Sequence, residues 1–250
     1  MDFISVSKND GIATITLSRG KVNALNEIMV EQLNNCFTDL ETDGETASII
    51  LTGQGKFFSF GFDIPEFLDY PKDDFVRYLT KFADLYTRMF LFPKPIVAAL
   101  NGHTIAGSCM LATACDYRIM VSDSAKISLN EIGFGSSVFA GSVEMLGYCA
   151  GWRNAETILY SGGMYSADEA FGLGLIDMVS IGPNLIKDAE SKARDLGQKD
   201  SIAFGSIKGL LREPVAERMI SREKESIQEF VDIWYSKETW EKLKKISIKK

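Results

Sequence analysis

The sequence predicts an α/β layered domain that passes into a helical C-terminal part. Three observations predict it. Apolar periods of 2 and of about 3.6 residues alternate through the first half of the chain. Strand patterns almost vanish after Glu131, and two buried strand patterns each end in a glycine-bearing turn.

Taken in order, "GIATITLSRG" sets Ile12, Thr14 and Thr16 against Ala13, Ile15 and Leu17, the alternation of a strand. In "NEIMVEQLNNCFTDLETDG", Met29, Leu33, Cys36, Phe37 and Leu40 recur at helical spacing, and Gly44 closes the helix. "ASIILTG" is a continuous apolar run, as expected of a strand buried on both faces. "GKFFSFGFDIPEF" then sets Phe57, Phe58, Phe60 and Phe62 around glycine, too permissive for a strand core and too greasy for a solvent loop. "DDFVRYLTKFADLYTRMFLF" reads as a long helix, apolar almost all round. "KPIVAAL" is a second buried strand, "NGHTIAGSCMLATACD" is Gly- and Ala-rich and then helical, and "YRIMVS" is a strand. Residues 142–161, 166–172, 185–196 and 213–245 read as helices, so the helical part begins within 190–205.

The 250 residues are 46% hydrophobic and 24% charged, ordinary globular usage and ample for a core. "MDFISVSKND" carries acids and lacks the apolar stretch of a secretory signal. No apolar run approaches the roughly 20 residues of a membrane span. The expectation is a cytoplasmic protein without a membrane partner. Cys36, Cys109, Cys115 and Cys149 are scattered and read as buried free thiols, with no metal site expected. A net charge of −7 argues against nucleic acid, and the basic "EKLKKISIKK" reads as a solvated helix terminus.

Several chemistries are missing. The single histidine, His103, stands beside a glycine turn without a G-x-S-x-G elbow, and reads as structural. Neither a dinucleotide nor a P-loop glycine pattern occurs, nor H-E-x-x-H, so no cofactor is expected. What remains is the pair of glycine turns, "ASIILTGQGKFFSFGFDI" and "PIVAALNGHTIAGSCML". The second runs into a helix, whose first N–H groups are unpaired donors. The residues alone allow two readings: an oxyanion hole made by two converging amides, or two ordinary strand-to-helix loops.

"KVNALN" (Lys21–Asn26), "FFSFGFD" (Phe57–Asp63), "NGHTIAGSCMLATACDYRI" (Asn101–Ile119) and "YSADEAFGLGLIDMV" (Tyr165–Val179) occur in the order found in enoyl-CoA hydratases and isomerases. From about Ser5 to Leu211 the chain resembles this crotonase superfamily. The resemblance implies a crotonase spiral of β-β-α units with a helical C-terminal trimerisation region. Residues 1–195 would form the catalytic core, and 196–250 would serve oligomerisation and cover the pocket, in a homotrimer or a dimer of trimers. The substrate would be an acyl-CoA thioester, with no cofactor besides. Its oxygen would meet the amides of Phe62 and Gly107, backbone near Ser59 and Phe60 would hold the adenine, and Gly61, Asp63 and Ile64 would belong to the same substrate- and CoA-binding set. Lys21, Val22 and Ala24 would line the nucleotide, Lys21 either reaching the CoA phosphates or remaining solvated.

The family's F-S-A-G-A-D loop stands here as Phe58 to Asp63, and its triple glycine is reduced to Gly107 between Ala106 and Ser108. Hydratases of the family use two glutamates; Met110 stands in place of the first, and Glu131 corresponds to the second. One positioned carboxylate suits a proton shift better than addition of water. "DYRIMVSDSAKISLNEIGFG" is similar to the mitochondrial type of Δ3-Δ2-enoyl-CoA isomerase, and Phe139 replaces the extra aspartate of dienoyl-CoA isomerases. Apolar Met110, Phe134 and Phe139 would dry the pocket and raise the pKa of Glu131. The expectation is a 3-enoyl-CoA to trans-2-enoyl-CoA isomerase. The alternatives are a hydratase, another acyl-CoA reaction such as decarboxylation or thioester hydrolysis, and a non-catalytic acyl-CoA binder. Asp116 reads as structural, Glu144 as a surface acid, and Tyr148 and Trp152 as core or interface.

Overall fold

The computed structural model describes residues 3–247. The strands are β1 (Ile4–Asn9), β2 (Ile12–Leu17), β3 (Ser48–Gly53), β4 (Phe57–Ser59), β5 (Ile96–Leu100), β6 (His103–Ile105), β7 (Tyr117–Val121), β8 (Ile127–Ser128) and β9 (Met178–Ser180). The helices are α1 (Glu27–Thr42), α2 (Ile64–Phe67), α3 (Lys72–Leu91), α4 (Gly107–Ala114) and α5 (Ala140–Ala150). They continue with α6 (Trp152–Ser161), α7 (Ala167–Gly172), α8 (Leu185–Gly197), α9 (Ser201–Trp234) and α10 (Lys237–Leu243).

One sheet runs β1-β2-β3-β5-β7-β9, antiparallel only at β1/β2; a second, parallel sheet runs β4-β6-β8. Three times the chain leaves the large sheet by a short turn, adds a strand to the small one and returns through helix. This is the predicted spiral of β-β-α units. β3 and β5 are buried along their whole length, which is why they read as continuous apolar runs.

Several elements depart from the sequence expectation. β1 had no expected strand; it forms a hairpin with β2 through Asp10 and Gly11, both at positive φ (48° and 75°), as a type I′ turn requires. The β4, β6, β8 and β9 strands span three residues or fewer, too short to show a period. The expected helix over 142–161 is two helices, broken at Gly151 with φ 76°. The helix expected from Glu213 begins at Ser201, where Asp200 accepts from the Ala203 N–H at 2.8 Å. It continues through Pro214 because the carbonyl that loses its donor belongs to Leu210, a residue 76% exposed to solvent. It stops at Trp234, and Ser236 caps α10.

α9 lies across α3 and α5. The Arg212 guanidinium donates to the carbonyls of Phe90, Ala114 and Cys115, the ends of α3 and α4, and pairs with Asp116 at 3.1 Å. Asp116 also accepts from Lys208 Nζ and the Ile96 N–H, both at 2.8 Å, as a structural residue should. Burial pushes the Lys208 ammonium down to about 8. Glu144 departs from expectation: it is buried and accepts from Arg218 Nε at 2.9 Å, because α9 covers the face of α5 that carries it. Tyr148 and Trp152 are 40% and 54% exposed, so neither is a core residue. Arg212→Met strands three helix-end carbonyls and leaves Asp116 with Lys208 as its one cation partner among the described residues, and is expected to lower stability by roughly 3–5 kcal/mol in a denaturant titration. A loss under about 1 kcal/mol would mean that α9 is held by its apolar face alone.

Candidate active site

Two bends and one short helix meet around a cavity of about 240 Å³. The first bend follows β4. Asn23, itself at φ 51°, anchors it by donating to the carbonyls of Gln54, Phe57 and Phe58. The turn around Asn23 then pairs with the bend: Phe60 N–H donates to Val22, Leu25 N–H to Gly61, and Asp63 N–H to Leu25. Gly61 sits at φ 79°, and a Cβ there would lie 2.6 Å from the Ile105 carbonyl oxygen, so only glycine serves.

The second bend follows β6. Ala106 holds φ 52° and ψ −120°, a region that costs a non-glycine residue about 1–3 kcal/mol. It delivers Gly107 to the first turn of α4, where a Cβ would lie 2.7 Å from the Phe62 ring. The amides of Phe62 and Gly107 donate to no protein acceptor among the described residues. Two such donors on touching bends are the raw material of an oxyanion hole.

Glu131 opens a 3₁₀ turn, Glu131–Phe134, closed by Gly135 at φ 80°. This turn is clamped: Ser136 N–H donates to the Glu131 carbonyl at 3.0 Å, and Thr239 Oγ1 of α10 donates to the Gly135 carbonyl at 2.7 Å. The carboxyl is only 4% exposed, and Oε2 has no hydrogen-bond partner. Burial pushes its pKa up to about 8, offset only by a hydrogen bond from its own backbone N–H.

Phe60, Phe62, Ile64, Met110, Glu131 and Phe134 all line the cavity, as the sequence suggested. Among the described residues, Glu131 is the one acid on that lining. Phe139 stands behind it, buried, with its ring 4.6 Å from Phe230 and 6.4 Å from Phe62. Ser59 is buried; its hydroxyl donates to the Asn23 carbonyl at 2.7 Å and accepts from the Gly61 N–H at 3.2 Å. Asp63 is off the lining: its carboxylate caps α2 and pairs with Arg19 at 2.7 Å. Ala24 is buried, Val22 half-buried, and Lys21 exposed with no ion pair among the described residues. His103 is also off the lining, its Nδ1 accepting from the Lys126 N–H at 3.2 Å.

Phe230, Trp234 and Ile246 close the cavity from the C-terminal side, with Ile105, Ala106 and Asn130 completing it. Sequence reasoning did not single these out. Phe230 and Trp234 repeat at i and i+4 on α9, but that spacing marks any buried helix face. Nor did it find Asn23, which holds three carbonyls, or Arg19, which holds the Ala24 carbonyl and the Asp63 and Glu66 carboxylates. Glu223 escaped it too: its carboxylate accepts from Tyr86 Oη and from the Gly141 N–H at 2.7 Å, capping α5.

An apolar cavity lined by Phe62 and Ala106, with one desolvated acid among the described residues on its wall, has the chemistry to move a proton on a carbonyl-bearing molecule. A family model described as enoyl-CoA hydratase/isomerase matches residues 7–245. A probable enoyl-CoA hydratase of Bacillus subtilis is 35% identical over 217 residues, covering 84% of this chain and 82% of the relative. The short-chain-enoyl-CoA hydratase of Clostridium acetobutylicum is 29% identical over 202 residues, 80% of this chain and 77% of the relative. The crystal structure of human mitochondrial delta3-delta2-enoyl-CoA isomerase superposes with a TM-score of 0.93 at 25% identity, covering 97% of this chain and 96% of that one. The chain therefore belongs to the enoyl-CoA hydratase/isomerase family of the crotonase superfamily. No helix among its described residues is long and apolar enough to cross a membrane.

A base must be ionised to work. With the Glu131 carboxyl pushed up to about 8, a reaction that uses it as base is expected to show kcat/KM for an enoyl-CoA rising close to tenfold per pH unit from pH 6 and levelling off above 8. A flat profile over pH 6–9 would contradict a buried carboxyl as the base.

Proposed function

We propose that this protein is an isomerase that converts 3-enoyl-CoA to trans-2-enoyl-CoA, with Glu131 as its only acid and base. The observation that carries the reading is the cavity lining: one buried carboxyl, with Met110 where a second acid would assist water. The thioester oxygen would sit between the amides of Phe62 and Gly107. The Glu131 carboxylate takes a proton from C2, and the C2–H electrons move into the carbonyl to give a dienolate. As the carbonyl re-forms, the C3–C4 electrons take the same proton at C4, leaving the double bond at C2–C3. The likeness to the human isomerase supports this direction. Hydratase names among the relatives favour the second reading, addition of water across a 2-enoyl-CoA.

No cofactor enters this scheme; coenzyme A arrives as part of the substrate. Lys21 would meet its phosphates, with Val22 and Ala24 beside the nucleotide. Residues 1–195 would carry the chemistry. Residues 196–250 would cover the pocket, a role supported by Phe230, Trp234 and Ile246 on its lining. The same region carries exposed Ile202, Ile207, Leu210, Leu211 and Ile220, which supports a homotrimer or a dimer of trimers.

Glu131→Gln is expected to lower kcat for 3-hexenoyl-CoA isomerisation by at least 10²- to 10⁴-fold while acyl-CoA affinity stays within about threefold. The wild type is expected to isomerise 3-hexenoyl-CoA more than about tenfold faster than it hydrates crotonyl-CoA. Normal turnover by the variant, or faster hydration, would overturn the reading.

A further inference from the structure

Ser108 takes no part in the proton transfer just described, yet it joins the two bends on which that transfer depends. It is fully buried in the first turn of α4. Its hydroxyl lies 2.7 Å from the Ser59 carbonyl oxygen and 2.8 Å from that of Ile105. The Ile105 contact is a local habit of serine, three residues back along its own chain. The contact to Ser59 is not local, since it crosses 49 residues from one bend to the other.

The two bends have little else polar to hold them. The β4–β6 ladder pairs Ser59 with Thr104 and goes no further. Among the described residues, no backbone hydrogen bond joins residues 60–63 to 105–108. The remaining links are packing contacts: the Phe62 ring against Gly107, and the bare Gly61 against the Ile105 carbonyl. Rings slide and glycine is permissive, so these contacts set a minimum distance without fixing it. Ala106, in its unfavourable conformation, adds a standing force for relaxation.

We infer that Ser108 is a positioning residue whose hydroxyl ties the first bend to the second, holding the Phe62 and Gly107 amides where one thioester oxygen can meet both. The inference rests on the oxyanion-hole reading proposed above.

The test is spectroscopic. Dimethylaminocinnamoyl-CoA absorbs further to the red when its thioester carbonyl is polarised, and one titration gives both the band shift and the affinity. The wild type is expected to shift the band. Ser108→Ala, with Ser108→Gly as a second route should the first misfold, is expected to give a clearly smaller shift. In the same variants kcat should fall roughly 10- to 100-fold, with affinity held within about threefold. Variants that keep the full wild-type shift and kcat would overturn the role of Ser108 while leaving the hole intact. Wild-type binding without any red shift would overturn the hole, and this inference with it.

Discussion

Taking a carboxylate out of water without giving it a cation costs several kcal/mol, and the usual outcome is that the group keeps its proton. Glu131 is held in that condition. It is almost wholly buried, one of its oxygens has no partner, and the cavity around it offers phenylalanine, methionine, isoleucine and tryptophan. Among the described residues, the two other acids buried as deeply are treated differently: Asp63 has Arg19 and Glu144 has Arg218, while half-buried Asp116 has Lys208 and Arg212. The fold evidently has cations to spend on carboxylates and spends none on this one. A carboxyl that holds its proton up to about pH 8 is matched to a weakly acidic carbon far better than one at about 4.

The surroundings follow from that constraint. A base in a dry site needs a charge acceptor close by, because a dienolate formed in low dielectric without donors would be prohibitively unstable. In the proposed mechanism the two bends would supply such donors, and the backbone there adopts unusual conformations. Asn23, Gly61 and Ala106 all sit at positive φ within a few residues of the site. The strain is sustained from outside the cavity: Asn23 spans three carbonyls, Arg19 fixes the start of α2, and Arg212 seals the ends of α3 and α4. Drying the site then falls to α9 and the segment after α10, which bring Phe230, Trp234 and Ile246 over the opening.

Much of this was visible in the residues. Long or wholly buried elements announced themselves by period, as β3, β5, α1 and α3 did. Glu131, the two glycine bends and most of the apolar lining were legible because motifs in a fixed order locate them. The β1–β2 hairpin carries a local signal as well, since Asp10-Gly11 between extended segments marks a tight turn. Strands of two or three residues carry no period at all and are set by the neighbouring strand. The purposes of Ser108, Asn23, Arg212 and Glu223 were hidden for a different reason. Each acts on carbonyls or amides far away in sequence, and nothing in local composition marks such a partner. Glu144 was misjudged because its burial depends on α9, some 70 residues later.

The central claim is that one buried carboxyl carries a single proton from C2 to C4. It is tested most directly with 3-enoyl-CoA deuterated at C2 and converted in ordinary water, the product being read by NMR or mass spectrometry. A shielded lone base predicts that a substantial share of the transferred deuterium appears at C4 of the trans-2-enoyl product. Product carrying only solvent hydrogen at C4 under single-turnover conditions would show that a second group or free water delivers the proton.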